Sequence, residues 1–288
     1  MIGKAACRGA ATIVNAIPTG RGAAFGIDLE ADAEVAVSED GRITLSGSDE
    51  GEELVAGCVR AVLSRTGRPE RGAAVRVASD IPVSRGLKSS SAVSNAVVLA
   101  ASRALPASMD DIAVILTGVE ASLEAGVTIT GAFDDASACF MGGVVLTDNR
   151  ERRILARGRM DPGLSVLLHV PEGRVRKPLV KDLDFGPARG AAEDALAHAA
   201  AGEYAKAMEL NSRACSKVLG LSDDVAELAR EHGAVAAGMT GTGPATVVLA
   251  KKEDEARLRA VLERREDGAV LIARINDVAA TEVVPRLL

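Results

Sequence analysis

Apolar residues recur with two different periods along the chain, and each period predicts a different kind of element. In the first fifty residues, short runs rich in Val, Ile and Ala are separated by Gly, Thr or Asp, which predicts β-strands at 9–17, 23–29, 33–38 and 42–47. Apolar positions three and four apart predict helices at 52–66 and 90–105. The alternating stretch at 73–82 lies between these helices and predicts another strand.

The second half of the chain continues this mixture without a regular strand–helix alternation. Ser108 and Asp111 fit a capping box at the start of a helix whose apolar residues follow at helical spacing. Further on, the pattern predicts a short helix within 130–143, strands at 144–149 and 164–170, two or three helices over 192–231, a strand–turn–strand at 234–250, a helix at 254–265 and two short final strands. The irregular order favours an α+β fold over a doubly wound parallel sheet.

Length and composition narrow the class of protein. The chain has 288 residues, which suits one large domain or two packed lobes, and aromatic residues make up only 2% of it, so the core must be aliphatic. The net charge of −6 and the lack of a basic stripe argue against nucleic acid as the main partner. Four widely spaced cysteines indicate buried free thiols in a reducing cytoplasm. No signal peptide or membrane helix is predicted, so we expect a soluble cytoplasmic protein.

The stretch PVSRGLKSSSA, residues 82–92, places hydroxyls and two cations at the start of a predicted helix. A helix N-terminus leaves backbone N–H groups unpaired and favours an anion there, and a glycine lets the backbone approach a ligand closely. The stretch therefore predicts a phosphate-binding loop, although a helix cap with a surface loop is the alternative. Its candidate ligand-binding residues are Pro82, Arg85, Gly86, Leu87, Lys88, Ser89, Ser90, Ser91 and Ala92. It is not a Walker A loop, because no GxxxxGK[ST] occurs in the chain.

Pro82, Gly86, Leu87, Ser89 and Ser90 match P-x3-G-L-x-S-S, and this pattern resembles that of the galactokinase–homoserine kinase–mevalonate kinase–phosphomevalonate kinase (GHMP) superfamily. The resemblance extends to a C-terminal glycine motif at Gly241, Thr242 and Gly243, followed by Pro244. It implies an ATP-dependent kinase with two closely packed lobes. The first lobe, at 1–160, would be similar to domain 2 of ribosomal protein S5, and the second, at 161–288, would be an α/β sandwich. Residues 171–190, rich in Pro and Gly, are the candidate boundary or substrate loop.

The segment TGAFDDASACFMGG resembles the part of the superfamily that carries its catalytic aspartate. Asp135 lies seven residues before Gly142, and Glu124 lies eleven residues before Asp135, which is the spacing of the base and the Mg²⁺-binding glutamate in mevalonate-kinase-like members. Asp135 is therefore the predicted base, with Asp134 as the alternative, because adjacent carboxylates on a regular backbone do not both point into one site. Ser90 and Glu124 are the predicted Mg²⁺ ligands, whereas a solvated helix face is the interpretation for Glu120.

Residues 9–29, together with RGLKSSSA, residues 130–149 and MTGTGPA, resemble the archaeal-type shikimate kinases in the same order along the chain. The resemblance implies transfer of the ATP γ-phosphate to the 3-hydroxyl of shikimate. A cation must then bind the shikimate carboxylate, and the candidates are Arg21 and, in the basic loop, Arg174, Arg176 and Lys177. Asn15 and Thr19 are candidates for the ring hydroxyls.

Two other functions stay open at this point. A sibling kinase, with homoserine as the main alternative acceptor, would carry similar nucleotide motifs, and a non-catalytic nucleotide sensor would share the fold. The three histidines stand in no triad or metal spacing, and no G-x-S-x-G elbow occurs, so a serine hydrolase is rejected. The sequence does not predict the oligomeric state.

Overall fold

The computed structural model describes residues 1–47, 51–106, 109–172 and 180–286. Within these residues the strands are β1 (Ile2–Val14), β2 (Arg21–Ser38), β3 (Ile43–Ser46), β4 (Gly72–Ser79), β5 (Val144–Asp148), β6 (Arg153–Gly158), β7 (Leu164–Pro171), β8 (Ala236–Met239), β9 (Thr246–Lys251) and β10 (Gly268–Arg274). The helices are α1 (Glu52–Arg65), α2 (Ser89–Arg103), α3 (Asp111–Glu124), α4 (Phe133–Met141), α5 (Arg189–Ala200), α6 (Tyr204–Leu219), α7 (Asp224–Glu231) and α8 (Glu255–Glu263). This is the predicted α+β arrangement.

Strands β1 to β6 form the first sheet, in the order β3-β4-β2-β5-β6 with β1 paired to β2. The long strand β2 pairs with β1 along one edge, and with β4 and β5 toward its two ends on the other. Helices α2 and α4 pack on this sheet, and α1 and α3 pack against α2. The small residues of β1 and β2 let these helices approach closely, and the side chains between them are almost entirely buried.

Strands β7 to β10 form a second, antiparallel sheet in the order β10-β7-β9-β8. Alternate residues of β7 face opposite sides: Val166 and Leu168 join the main core shared with the first sheet, whereas Leu167 joins a smaller core under α7 and α8. The two sheets therefore share one continuous hydrophobic core. The predicted boundary at residue 160 falls between β6 and β7.

The last described residues return to the first sheet. Ala280 N–H donates to the Phe140 carbonyl at 2.7 Å, and Arg286 pairs with the buried Glu30 at 3.1 Å. Among the described residues, no helix has both the length and the apolar character needed to cross a bilayer. All four cysteines are free and buried, as predicted, and burial raises the pKa of the Cys7 thiol to about 12.

Several predicted elements differ from those in the structure. The strands predicted at 23–29 and 33–38 are one strand, because the polar residues between them, Glu30 and Asp32, are buried and do not form a turn. Asp110 caps α3 through a hydrogen bond from Ala113 N–H, so the predicted capping box is wrong; Ser108 lies outside the described residues. The largely exposed strand β6 was not predicted, because its charged residues give no apolar pattern.

Candidate active site

A cleft opens where the segment after β1, the loop before α2, the start of α4 and the β8–β9 turn meet. Most of its wall consists of hydroxyl-bearing, amide and small side chains together with exposed backbone. Its polar lining includes Thr12, Asn15, Ser84, Lys88, Ser89, Ser90, Ser91, Ser122, Thr128, Thr130, Asp134, Asp135 and Thr242. The cleft therefore offers many hydrogen-bond donors and two carboxylates to a polar ligand.

The loop before α2 exposes backbone N–H groups to this cleft. Ser84, Gly86 and Lys88 have φ angles of 58°, 84° and 66°, so every second residue is in the left-handed region. Such alternation turns successive N–H groups toward one side, where they form a concavity that binds anions. The first hydrogen bond within α2 runs from Ala92 N–H to the Lys88 carbonyl, and no side chain caps the helix. The preceding N–H groups therefore remain available to a phosphate.

The glycine motif of the β8–β9 turn packs directly against this loop. A Cβ added at Gly86 would overlap the carbonyl oxygen of Thr240, and one added at Gly241 would lie 3.1 Å from the Gly86 Cα. The Thr240 hydroxyl also donates to the Gly86 carbonyl at 2.9 Å, and Ala245 N–H donates to the Arg85 carbonyl at 3.2 Å. The two predicted nucleotide motifs, far apart in the chain, thus form one wall of the cleft.

Asp135 is held at the cleft by a lysine of the loop before α2. Lys88 Nζ lies 2.8 Å from Asp135 Oδ1 and donates a hydrogen bond to Thr12 Oγ1 at 2.6 Å. The lysine side chain is only 5% exposed and that of Asp135 is 18% exposed, so the ion pair is shielded while the carboxylate still reaches the cleft. This contact joins the predicted base to the predicted phosphate loop.

Asp134 lies deeper beside its neighbour. Asn149 Nδ2 donates to Asp134 Oδ1 at 2.8 Å, and Gly22 leaves the space that the carboxylate fills. Burial, and then repulsion from Asp135, raise the pKa of Asp134 to about 7. Both residues line the cleft, although Asp134 is only 4% exposed. In the first turn of α4 each keeps a separate environment, Asp135 with a cation and Asp134 with an amide.

Most of the predicted nucleotide-binding residues line the cleft. These are Pro82, Gly86, Leu87, Lys88, Ser89, Ser90, Ser91, Gly241, Thr242 and Gly243. Leu87 is also fully buried in the main core. Arg85 and Ala92 are not in the lining: Arg85 donates to the Glu172 carbonyl at 2.6 Å, and Ala92 is a core residue of α2.

The residues predicted to bind the substrate differ in whether they lie at the cleft. Asn15 lines the cleft, but its Nδ2 donates to the Gly241 carbonyl and its Oδ1 accepts from Ile17 N–H. Thr19 and Arg21 are outside the lining; Thr19 closes a local turn with Arg21, whose largely exposed side chain pairs with Asp148 at 3.4 Å. Arg174, Arg176 and Lys177 lie outside the described residues. Of the three candidates among the described residues, the geometry therefore brings one, Asn15, to the cleft.

The two predicted metal ligands also differ in position. Ser90 lines the cleft, whereas Glu124 is exposed at the end of α3, two residues beyond Ser122, which does line it. Glu124 has no ion-pair partner among the described residues, whereas Glu120 pairs with Arg65 at 2.6 Å and Arg152 at 3.0 Å. Within the described part of the chain, no cluster of three or more metal-ligating His, Cys, Asp or Glu side chains occurs.

Sequence reasoning missed two residues that the structure places at the acids. Thr12 contacts Lys88, and Asn149 holds Asp134. A threonine within a strand and an asparagine just after a strand are common in proteins, so neither residue by itself indicates a functional site. Both lie inside the segments that resemble the kinase family, and that is the only sequence feature that points to them.

Comparisons with known proteins agree with this geometry. The GHMP kinases N terminal domain family matches residues 53–143, and the GHMP kinases C terminal family matches 192–266. The chain is 39% identical to a shikimate kinase of Methanosarcina mazei over 286 residues, 96% of each chain, and 43% identical to one of Methanothrix thermoacetophila over 254 residues, 86% of this chain and 85% of the relative. A homoserine kinase structure from Cytophaga hutchinsonii superposes with a TM-score of 0.78 at 19% identity, over 96% of each chain, which shows the fold alone. The chain therefore belongs to the shikimate kinase family that is built on the GHMP kinase fold.

Proposed function

We propose that this chain transfers the γ-phosphoryl group of ATP to the 3-hydroxyl of shikimate. The single observation that carries the proposal is the 2.8 Å ion pair between Lys88 and Asp135, which places a candidate base beside the open N-terminus of α2. Phosphoryl transfer needs an anion-binding loop and a carboxylate that orients or deprotonates the attacking hydroxyl. Relatives at 39–43% identity that are named shikimate kinases support this acceptor.

The phosphate groups of ATP would bind at the loop before α2. Ser89 and Ser90, at the uncapped start of the helix, and the glycine turn at Gly241 all line the cleft. Ser89 Oγ is buried and has no hydrogen-bond partner among the described residues, and a bound phosphate oxygen would satisfy it. Ile17, Val127 and Ile129 add aliphatic surface to the lining, which suits an adenine ring held without aromatic stacking.

The residues of the cleft also fit a hard divalent cation such as Mg²⁺. Serine oxygens are the hard ligands that this ion prefers, and the ion keeps several waters, so few protein ligands are needed. Ser90 in the lining and Glu124, which is exposed two residues beyond Ser122 and has no ion-pair partner among the described residues, would hold the ion together with phosphate oxygens. When bound, Mg²⁺ neutralises charge on the β- and γ-phosphates.

Asp135 would accept the proton of the attacking hydroxyl. Its carboxylate reaches the cleft, and the Lys88 ammonium beside it holds its position and stabilises negative charge that develops on the acceptor oxygen. Asp134 also lies in the first turn of α4, but its carboxylate is hydrogen-bonded to Asn149, so it forms part of the cleft wall beside Asp135. Thr128 and Thr130 also line the cleft, and their hydroxyls suit a polyhydroxylated ring.

The direct test measures ADP release by the purified protein with ATP and Mg²⁺, using shikimate and homoserine as separate acceptors. We expect turnover on shikimate, little on homoserine, and a product phosphorylated at the 3-hydroxyl, identified by ³¹P and ¹H NMR. Turnover on homoserine and none on shikimate would overturn the choice of acceptor. Nucleotide binding without phosphorylation of either acceptor would support a sensor function.

A further inference from the structure

Thr12 occupies the point where the lysine of the phosphate loop, the glycine turn and the first strand meet. The residue lies on β1 and is 2% exposed. Its Oγ1 accepts two hydrogen bonds, from Lys88 Nζ at 2.6 Å and from Gly241 N–H at 2.8 Å. Its own N–H donates to Thr240 Oγ1 at 3.0 Å. One hydroxyl therefore links three segments that are distant in the chain.

The position of Lys88 depends on this hydroxyl. A lysine side chain has four rotatable bonds, and holding it in one place costs conformational entropy that specific contacts must offset. The described contacts of the ammonium are two: Thr12 Oγ1 and Asp135 Oδ1. Because no described residue donates an aligned hydrogen bond to Asp135 Oδ1, the ion pair alone leaves the direction of the ammonium open. The shorter and better directed contact is the one to Thr12.

We propose that Thr12 is a positioning residue for phosphoryl transfer: it holds the Lys88 ammonium against Asp135 and sets that pair in register with the glycine turn at Gly241. The inference rests on the proposed function, since it concerns the same reaction. Thr12 acts through Lys88, so removal of its hydroxyl slows the transfer step and does not weaken acceptor binding. A hydrogen bond to a charged group in a shielded site corresponds to about a 10- to 100-fold change in rate.

The test combines Thr12→Val, which keeps the shape of the side chain, with Thr12→Ser, which keeps the hydroxyl. We expect Thr12→Val to lower kcat about 10- to 100-fold with the KM for shikimate changed less than about three-fold, and Thr12→Ser to recover most of the lost kcat. Thr240→Val is the matched control, because Thr240 lies in the same junction and contacts Gly86 but does not contact Lys88. Thermal unfolding of each variant verifies the fold, and Thr12→Ala replaces Thr12→Val if the latter does not fold.

A double-mutant cycle with Lys88→Met separates positioning from general support of the structure. If Thr12 acts through Lys88, Thr12→Val has no further effect on kcat once Lys88 is replaced, whereas Thr240→Val lowers kcat by the same factor with either residue at 88. An equal effect of Thr12→Val in both backgrounds would overturn the inference. So would a Thr12→Ser variant as slow as Thr12→Val, and this comparison decides the matter if Lys88→Met has no measurable turnover.

Failure of this inference is distinguishable from failure of the proposed function. If the wild-type protein does not phosphorylate shikimate, the proposed function fails and the positioning inference fails with it. If the wild-type protein phosphorylates shikimate and Thr12→Val retains its kcat, the inference alone is overturned.

Discussion

Asn149 binds Asp134 at two points: its Oδ1 accepts from the Asp134 N–H at 3.1 Å, and its Nδ2 donates to Asp134 Oδ1 at 2.8 Å. The amide thus fastens the first turn of α4 to the end of β5 and fixes one carboxylate of the pair. The neighbouring carboxylate, Asp135, is left to face Lys88 and the cleft. Two adjacent acids of the same type therefore acquire different environments, and this difference leads to separate predictions for each.

The stability of the ligand-free protein should fall as the pH rises through the titration range of Asp134. Its pKa is about 7 in the folded protein and near 3.8 when the carboxyl is exposed. Between these values the folded state retains a proton that the unfolded state has lost, so the free energy of unfolding decreases with rising pH, by up to about 1.4 kcal/mol per pH unit. Asp134→Asn should flatten this slope. Urea unfolding of both proteins from pH 5 to 8 measures it, and equal slopes would contradict the prediction.

Replacement of the two acids should have unequal effects on turnover. We expect Asp135→Asn to lower kcat by about 100-fold or more, because the acceptor of the hydroxyl proton and the partner of Lys88 are both lost, while ATP affinity stays nearly unchanged. Asp134→Asn keeps an oxygen that can accept from Asn149, so its loss of kcat should be smaller. Steady-state kinetics and calorimetric titration with ATP test both. Near-normal turnover of Asp135→Asn, with an inactive Asp134→Asn, would show that Asp134 is the base.

Gly86→Ala should disturb the nucleotide site, whereas the matched change Gly67→Ala should not. Both glycines have left-handed φ angles, 84° and 71°, so alanine costs about 1–2 kcal/mol of backbone strain at either position. Only at Gly86 would the new Cβ overlap another segment, the Thr240 carbonyl; at Gly67 no atom lies within 4 Å. We expect both variants to lose stability and only Gly86→Ala to raise the Kd for ATP, by about 10-fold or more. Similar ATP affinities in the two variants would argue against a nucleotide site formed jointly by the loop at Gly86 and the β8–β9 turn.

Glu124→Gln should raise the Mg²⁺ concentration needed for half-maximal turnover, by about 10-fold, because a carboxylate ligand is lost. Glu120→Gln is the control on the same helix: its carboxylate is already paired with Arg65 and Arg152, so the Mg²⁺ requirement should not change. Titration of each variant with Mn²⁺, followed by electron paramagnetic resonance in the presence of ATP, gives a readout independent of turnover. An unchanged requirement in Glu124→Gln would mean that the exposed side chain does not reach the ion.

Local sequence pattern was sufficient for most helices and for the motifs on the cleft wall. The apolar period of α2 and the glycine and serines before it are local features, so a loop that lines the cleft could be singled out without a structure. Burial of polar residues was not predictable. Glu30 and Asp32 interrupt an apolar run and suggest a turn, yet they lie within one strand, where Arg286 from the far end of the chain pairs with Glu30. A partner 256 residues away leaves no local pattern.

Residue types at short, regular spacings were enough to predict the α+β class, a candidate phosphate-binding loop, the paired acids and the family resemblance, because each of these is a local feature of the chain. Which atoms meet became known from the packed fold: Lys88 pairs with Asp135, Asn149 holds Asp134, and Thr12 joins the lysine to the glycine turn. These contacts join residues on separate strands, helices and loops, and their geometry follows from the packing of two sheets around one core, which no single segment specifies.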